Sequence, residues 1–501
     1  MRTKRALLNM LSSVLLQIVT IVCSFILPRL LLRAFGSEVN GAVASITQFL
    51  GYISLIEAGV GGVTRAALYS PLAHNDTIKV SGIMNATQSF FKKIAYIFIG
   101  YVVVLALTFK YISHAELSWL FTSSLVVILS ISVFAEYYFG ISFVILFQAD
   151  QRSYIVTSLQ IVVLILNTFL SVLLLNLGLG IHIIKLVSAS VFLIRPTLLS
   201  IYARKQYNLQ KSVPPDNEAI KQRWNGFGHH IAYCIHNYTD TVVVTIVLGL
   251  KWASVYAIYH LILNGLGRLV LALTGSSAAA FGNMIAKNEQ EVLKKRFNMT
   301  ETLSSIVIVS FFTSAGLLLF DFVRLYTAGV KDIEYVNIYV GVFFVISEAL
   351  HCVKQNYHNL VLAAGHYKET QKGAFVEAGL NLGLSLLLAP VAGLPGILSA
   401  TILATSFRIV DYAFHLKNNI LNRRISTMII RHSINVLNVL LVLLVFKLMP
   451  NIMPANYFEW TVKALKVVML SLGITLSVNV VFYKENITDF LRLMRGILPS
   501  K

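Results

Sequence analysis

Residues 229–268 read HHIAYCIHNYTDTVVVTIVLGLKWASVYAIYHLILNGLGR, and this stretch decides the fold. Two apolar segments follow each other, and each carries polar residues at a spacing that places them on one face of a helix. The first stripe consists of His229, Tyr233, His236 and Asp240, and the second of Tyr256, His260, Asn264 and Arg268. The segments between these residues are too apolar for a surface in water. The stretch therefore predicts two membrane helices that turn their polar faces to a wet interior.

The composition of the whole chain agrees with a membrane protein. Of its 501 residues 56% are hydrophobic and 13% are charged, and the mean hydropathy is +0.74. Soluble proteins carry about 25% charged residues. Apolar runs of about 20 residues, the length needed to cross a membrane, recur along the chain, and only helices satisfy their own backbone hydrogen bonds there. The first run is too long for a signal peptide and lacks a cleavage site, so we expect it to remain as the first helix.

Apolar windows predict an all-α polytopic protein with about fourteen transmembrane helices, in two six-helix lobes plus two C-terminal helices. The windows are 9–31, 41–63, 94–112, 118–139, 154–176, 182–202, 229–250, 255–279, 302–322, 336–353, 374–392, 395–413, 433–449 and 461–483. The fourth window runs on to Phe147, past Glu136, either as one long tilted helix or as a helix with a short interfacial piece.

The net charge of +19 reflects orientation in the membrane rather than nucleic-acid binding. The N-terminal tail, alternate loops and the C-terminal tail hold most of the lysines and arginines, so both termini are predicted to be cytoplasmic. The three cysteines, Cys23, Cys234 and Cys352, lie inside predicted spans, without the ligand spacing of a metal site. We therefore expect no nucleic-acid partner and no bound metal.

The predicted domains follow from these windows. They are an N-terminal lobe at 1–202, a cytoplasmic linker at 203–228, a C-terminal lobe at 229–416, the last two helices within 417–483, and an amphipathic cytoplasmic tail at 484–501. A short internal repeat supports the two lobes. Phe35-Gly36, with Gly41 and Ala44, follows the first helix, and Leu248-Gly249, with Ser254 and Ala257, follows the seventh.

Charged groups inside a membrane cost about 2.5–3.5 kcal/mol each on insertion scales, so those present should face a cavity or a partner. Candidates for ion coupling or conformational change are Glu57, Asp240, His236, Glu348, Glu377 and Asp411. The alternative for any single polar residue is a hydrogen bond that joins two helices. No cofactor is expected. A coupling ion, H⁺ or Na⁺, stays open.

Several motifs together resemble one family. They are Leu27-Pro28-Arg29 before Phe35-Gly36, Glu57-Ala58-Gly59 before Arg65, and Asp240 before Leu248-Gly249. In these features the chain resembles the polysaccharide-transporter (Wzx-type) flippases of the multidrug/oligosaccharidyl-lipid/polysaccharide (MOP) exporter superfamily. The resemblance implies a MATE-like fold in a bacterial cytoplasmic membrane. It also implies export of an oligosaccharide on a polyprenyl diphosphate for O-antigen, capsule or exopolysaccharide synthesis, with a polymerase and glycosyltransferases as further partners.

Such a substrate needs cationic and hydroxyl-binding groups in the cavity. The arginine fork matches phosphate oxygens, and the candidates for the diphosphate are Arg268, Arg195, Arg408, Arg29 and Arg65. The candidates for the sugar are Asn264, Tyr256 and Gln17. We expect alternating access, in which the two lobes rock about a central site.

Two other classes compete with a flippase. A cation-coupled drug antiporter of the same superfamily is the first, and the run of arginines favours an anionic substrate over a cationic drug. A membrane-embedded polymerase or ligase is the second, and the short predicted periplasmic loops leave no room for a catalytic domain. We therefore predict a transporter rather than an enzyme.

Overall fold

The computed structural model describes residues 2–57, 59–224, 227–274, 278–450 and 453–497 of the chain. Side chains are described for these residues outside 2–3, 222–237, 278–279 and 494–497, so the side chain of His236 lies outside the described residues. Within the described part the regular structure is helical throughout and includes no β-strand. The all-α prediction is confirmed.

The first half of the chain forms helices that alternate between long spans and short segments. They are α1 (Arg2–Gly51), α2 (Ser54–Glu57), α3 (Val60–Ala73), α4 (Thr77–Ile112), α5 (Trp119–Ala135), α6 (Ile141–Ala149), α7 (Ser153–Asn176), α8 (Ile181–Phe192) and α9 (Ile194–Gln206). A π-helical turn, Glu136–Gly140, joins α5 to α6, and a 3-10 helix, Glu218–Trp224, lies in the predicted linker.

The second half continues in the same way. Its helices are α10 (Phe227–Leu248), α11 (Leu250–Thr274), α12 (Ala278–Ala286), α13 (Gln290–Tyr326), α14 (Ile338–Ala363), α15 (Gln371–Asn419), α16 (Ile425–Lys447), α17 (Tyr457–Phe482) and α18 (Lys484–Ile497). The last of these lies within the predicted amphipathic tail.

Within the described residues, eleven helical segments are long and apolar enough to cross a membrane, which defines a multi-pass membrane protein. Two of them contain a residue with non-helical backbone, Gly36 in α1 and Gly393 in α15. The segment Gln371–Asn419 covers the predicted windows 374–392 and 395–413, and the segment Lys4–Glu57 covers 9–31 and the larger part of 41–63. Tyr238–Leu248 is a shorter apolar helix. The predicted count of fourteen spans remains a prediction.

Contacts group the chain into two compact units. One comprises Met1–Ala257 with Gly329–Ile333, and the other Ile258–Ala328 with Glu334–Lys501. The first has a core of fully buried aromatic rings, among them Phe91 and Phe98 of α4. The second has a core around Phe297 and Leu360. These units are defined by contacts between residues. The predicted boundaries of the lobes, the linker and the tail remain predictions.

The break at Gly36 is stabilised by an acid from a distant part of the sequence. Gly36 has φ 78°, a left-handed backbone conformation that glycine adopts without strain. Directly after it, the Ser37 backbone N–H donates to Asp332 Oδ2 over 2.7 Å, and Ser37 Oγ donates to Oδ1 over 2.6 Å. Asp332 lies in the loop between α13 and α14, within the segment that groups with the first unit. It therefore caps the helix that restarts at Ser37.

The two repeat motifs share their geometry and contact each other. Gly249, the counterpart of Gly36, also has a left-handed backbone, with φ 84°. Asn40 Nδ2 donates to Ser254 Oγ over 2.7 Å. A Cβ on Gly41 would collide with the Leu250 carbonyl oxygen, so glycine permits this close approach. The two motifs thus pack against each other inside the first unit.

The fourth predicted window is one long helix rather than two pieces. Residues Trp119–Ala149 form a single 31-residue span, with the π-helical turn at its centre. A π turn inserts one extra residue and is found often at functional positions. Here it begins at Glu136, the acid that the sequence placed inside this span.

Candidate functional site

Three members of the second polar stripe, His260, Asn264 and Arg268, form a row along one face of α11. Asn264 Nδ2 lies 3.5 Å from His260 Nε2, and Arg268 Nε donates to Asn264 Oδ1 over 2.8 Å. These side chains meet because residues four apart stand one above the other on a helix. Asn264 thereby orients the guanidinium group of Arg268.

Arg268 has few partners for a charge inside a spanning helix. Its side chain is exposed, and its bond to Asn264 is its one hydrogen bond to the described residues. The Glu348 carboxylate lies next to the same helix turn, because a Cβ on Gly267 would be 3.4 Å from Glu348 Oε2. An exposed guanidinium at membrane depth must face water or a ligand, since hydrocarbon cannot solvate it. Its two terminal nitrogens are available to an anion.

The first stripe is visible only at its end, because its three earlier side chains lie outside the described residues. Asp240 is buried in the first unit, and Tyr256 Oη donates to its Oδ2 over 3.4 Å. Tyr256 is therefore placed beside an acid and not in the hydrogen-bonded row of α11. The sugar-binding role predicted for Tyr256 stays a prediction.

Two of the other candidate arginines are ion-paired. Arg195 Nη1 lies 3.7 Å from Glu136 Oε2, at the π turn. A Cβ on Gly140 would lie 2.8 Å from the ring of Pro196, so the small residue lets this turn pack against α9. The pairing gives both charges a partner inside the membrane.

Arg408 is the most buried charged candidate, with 1% of its surface exposed. Its Nη1 lies 2.6 Å from Asp411 Oδ2, and its Nε lies 3.6 Å from Glu377 Oε2. Its Nη2 also donates to the Thr370 carbonyl oxygen over 2.9 Å. A Cβ on Gly373 would collide with both Arg408 and Asp411, so the pair fits only because that position is glycine.

Glu377 has a second cationic partner that the sequence did not predict. Lys354 Nζ lies 2.6 Å from Glu377 Oε1, and Lys354 is buried. The sequence placed Lys354 in a loop, because the predicted window ended at residue 353. The helix α14 continues to Ala363, and the lysine points into the protein.

A second buried ionic cluster, around Glu301, was not predicted from the sequence. Glu301 is buried and lies 2.5 Å from Arg423 Nη1 and 3.3 Å from Arg431 Nε, and Tyr357 Oη donates to it over 2.6 Å. Burial lowers the pKa of Arg423, whereas Glu301 and Tyr357 together raise it, and the net shift of this pKa is upward. The sequence signal that could have revealed this cluster is the absence of proline from the run that forms α13. This helix starts at Gln290, whereas the predicted window starts at 302.

The remaining candidates belong to the first unit. Glu57, at the end of α2, accepts a hydrogen bond from Tyr137 Oη over 3.2 Å. Gly59, with φ 77°, is the N-cap residue of α3. Arg29, Arg65 and Gln17 are partly buried, and the last two make no hydrogen bond to the described residues. No group of three metal-ligating side chains occurs within the described part of the chain.

These observations define the class of the fold. No family model and no curated protein matches the sequence. Solved structures that are similar to the chain over most of its length are transporters, and they share 11–16% sequence identity with it. The chain therefore has the fold of the MOP superfamily transporters.

Among particular structures, the lipid II flippase MurJ in an inward closed conformation is similar over 96% of this chain and 100% of its own, at 14% identity and a TM-score of 0.70. A multidrug resistance MATE family transporter in its inward-facing conformation matches 79% of this chain and 94% of its own, at 11% identity and a TM-score of 0.58. A MOP superfamily transporter from Pyrococcus furiosus matches 84% of this chain and 95% of its own, at 11% identity and a TM-score of 0.56. At these identities the likeness defines the fold alone.

Proposed function

We propose that the protein is a flippase that moves a polyprenyl-diphosphate-linked oligosaccharide from the inner to the outer leaflet of a bacterial cytoplasmic membrane. The product would enter O-antigen, capsule or exopolysaccharide synthesis. The fold supports this proposal, because the whole chain of a lipid II flippase is matched by this chain. The multidrug resistance transporter with the same fold matches a smaller share of this chain than the flippase does.

The observation that carries the proposal is the state of Arg268. Of the arginines predicted to bind the diphosphate, Arg195 and Arg408 have carboxylate partners, whereas Arg268 has one neutral partner, Asn264. A diphosphate that binds Arg268 displaces no ion pair, so the gain in charge-assisted hydrogen bonds is retained. Arg268 is therefore the leading diphosphate contact, and Asn264 is the residue that positions it.

The other predicted residues take secondary places in this proposal. Arg195 and Arg408 would have to leave their acids before they bind phosphate, and we assign them to later steps of the cycle. Arg29, Arg65, Gln17 and Tyr256 remain candidates for the head group and the sugars. Glu57, Asp240, His236, Glu348, Glu377 and Asp411 remain candidates for coupling to H⁺ or Na⁺ and for the conformational change.

The proposed mechanism is alternating access by two lobes about a central site. The anionic head group enters from the inner leaflet, pairs with Arg268, and is released on the other side when the lobes rock. The lipid tail stays in the bilayer throughout. A polymerase and glycosyltransferases of the same pathway would be the partners that use and supply the glycan.

A cation-coupled antiporter is the second candidate, because MATE transporters share the fold. The acids Asp240 and Glu348 are the observation that favours it, since acids attract cationic solutes or coupling ions. Vesicles that contain the protein distinguish the two. A flippase exposes a lipid-linked glycan at the outer leaflet, whether or not a cation gradient drives it, whereas an antiporter takes up a cationic dye in exchange for the coupling cation. A polymerase or ligase would instead lengthen or transfer the glycan.

The test replaces Arg268 by Ala and by Lys, in vesicles that hold a fluorescent polyprenyl-diphosphate oligosaccharide. Charge-assisted hydrogen bonds contribute about 1.5–3 kcal/mol, so we expect Arg268→Ala to slow flipping at least tenfold. Arg268→Lys keeps the positive charge but lacks the guanidinium fork. Its flipping rate should lie between that of Arg268→Ala and that of the unchanged protein. The readout is the fraction of labelled lipid that a membrane-impermeant reagent quenches with time.

Lys287→Ala is the matched control, because Lys287 is an exposed cation of the second unit at the end of α12. It should flip the lipid at the rate of the unchanged protein. Full activity of both Arg268 variants would remove this residue from the mechanism, and with it the main support for an anionic substrate.

A further inference from the structure

A cavity of about 320 Å³ lies at the start of the first helix, within the first compact unit. It is lined by Arg5, Pro71, Leu72, Asn75, Thr77, Val80, Asp150, Arg152 and Tyr207. A water molecule occupies about 30 Å³ in the liquid, so the cavity has room for a phosphodiester group. Arg268, in contrast, belongs to the second unit.

Two guanidinium groups and one carboxylate set the charge of this cavity. Arg5 Nη1 lies 3.1 Å from Asp150 Oδ1, and Arg152 Nε lies 2.7 Å from Asp150 Oδ2. Tyr207 Oη also donates to Asp150 Oδ2, over 2.6 Å. Burial raises the pKa of Tyr207, and the bond to Asp150 raises it further, so the phenol stays protonated. The group as a whole carries one excess positive charge.

The arginines have donors to spare. Arg5 uses one terminal nitrogen, for the side chain and the carbonyl oxygen of Asp150, and Arg152 faces Asp150 with its Nε. Their remaining N–H groups make no hydrogen bond to the described residues. Both side chains are largely buried, at 28% and 20% exposed, so they cannot all be satisfied by bulk water. An anion in the cavity would accept from them.

The cavity lies at the N-terminal end of the first candidate membrane span, Lys4–Glu57. Leu8, Leu11 and Leu15 follow Arg5 along the helix and are exposed, at 37%, 55% and 50%. Exposed leucines on a spanning helix face lipid chains. A lipid whose acyl chains lie against these leucines would bring its head group to the level of Arg5.

We propose that this cavity binds the phosphate of an anionic phospholipid, in which a phosphodiester matches the one excess positive charge. Arginine forks are the groups that bind phosphate most specifically. Basic pockets between membrane helices bind anionic head groups in the same way. The two sites share no residue, and binding of this lipid does not depend on the transported substrate.

The test measures lipid retention by native mass spectrometry of the purified full chain. Dioleoyl phosphatidylglycerol is titrated against dioleoyl phosphatidylcholine, and inorganic phosphate is titrated separately. We expect selective retention of phosphatidylglycerol, weakened about tenfold by Arg152→Gln or Arg5→Gln, since each removes charge-assisted hydrogen bonds. Lys417→Gln, which removes an exposed cation of the second unit, should leave retention unchanged.

Asp150→Asn separates a binding site from a merely structural ion cluster. Removal of the carboxylate leaves two positive charges around the cavity, so a phosphate site should bind phosphatidylglycerol more tightly, by about three- to tenfold. A structural cluster would lose retention or leave it unchanged, and that result overturns the proposal. Equal retention of both lipids also overturns it. Binding of inorganic phosphate as tight as that of phosphatidylglycerol supports the phosphate site and overturns its lipid source.

The readout contains no transport step. A failure of lipid selectivity therefore leaves the flippase proposal standing, and a failure of flipping leaves the lipid site standing. Thermal unfolding without added lipid checks that each variant is folded. If Asp150→Asn does not fold, the two arginine variants still decide the proposal.

Discussion

At the scale of single residues, the partners of each arginine distinguish an arginine that is available to bind a ligand from one that has a structural role. Arg408 is held by two acids and a carbonyl oxygen, whereas Arg268 is held by one amide. The two arginines look alike in sequence, because each lies in an apolar window with polar residues at helical spacing. What distinguishes them is the position of acids distant in sequence, such as Glu377.

The Glu301 cluster gives a prediction for stability. Glu301→Gln leaves Arg423 and Arg431 buried with no carboxylate between them. The loss of one partner from a buried ion pair costs about 3–5 kcal/mol, because the other charge stays desolvated. We expect the free energy of unfolding of the solubilised protein, measured by denaturant titration, to fall by this amount.

The matched control for Glu301→Gln is Glu218→Gln, because Glu218 pairs with Lys221 at the surface, with both side chains mostly exposed. Exposed pairs contribute about 0–1 kcal/mol, so stability should hardly change. An equal effect of the two substitutions would contradict the structural role of Glu301.

The sequence could predict residues that interact within one helix but not those that pair between helices. His260, Asn264 and Arg268 were found because helical spacing alone brings them together. Lys354 and Glu301 were missed, since each lies at the border of an apolar window and its partner is on another segment. A charge that ends a window looks the same whether it faces water or a buried acid.

At the scale of elements, the contact of Gly41 with the start of α11 gives a second prediction. Gly41→Ala would place a methyl group against the Leu250 carbonyl oxygen, and backbone atoms cannot turn away. The helices must separate, and the bond between Asn40 and Ser254 lengthens. Overpacking of this kind costs about 1–3 kcal/mol, and we expect a lower temperature of thermal unfolding.

Gly100→Ala provides the comparison, because Gly100 lies inside α4 with no atom within 4 Å of an added Cβ. Alanine there favours the helix by about 0.5–1 kcal/mol, and the unfolding temperature should hold or rise. A Gly41→Ala protein as stable as the Gly100→Ala protein would show that the two helix starts do not need this contact.

The elements themselves were largely predictable, since membrane spans follow from apolar length. The π turn at Glu136 was not, because one inserted residue leaves the hydropathy of the window unchanged. The left-handed backbone at Gly36 and Gly249 was anticipated only as a repeated motif. The backbone conformation at each glycine depends on the groups around it. At Gly36 these groups include Asp332, which comes from a distant part of the sequence.

At the scale of the whole molecule, composition was sufficient for the membrane class, and the fold is that of the MOP superfamily transporters. The substrate is a different matter. Transporters with this fold and little shared sequence carry names that refer to a lipid flippase or to multidrug resistance. The chemistry of the side chains at the proposed transport site, and not the arrangement of helices, has to decide between these substrates.

A membrane potential should act on the proposed cycle as a whole. An anionic head group that moves outward travels down an inside-negative potential, which is worth about 2.3 kcal/mol per charge for each 100 mV. Arg268 stays with the protein and does not cancel this energy. We expect faster outward flipping in vesicles when a potassium diffusion potential makes the interior negative.

For this experiment, equal potassium on both sides with valinomycin sets the potential to zero and provides the baseline. A reversed potential should slow outward flipping. A rate that is the same under all three conditions would contradict net charge movement and would favour the uptake of a compensating ion, with Asp240 and Glu348 as the acids to replace first.

The packing of the repeat motif against its own copy has a consequence for how this protein can change over evolution. Gly41 and Ser254 occupy matching places in the repeat motif, and a Cβ on Gly41 would lie 3.2 Å from the Ser254 backbone nitrogen. A side chain at position 41 would press on the backbone of the second motif, whatever residue stands at position 254. In related chains, glycine should therefore persist at position 41 after the rest of the repeat has lost its resemblance.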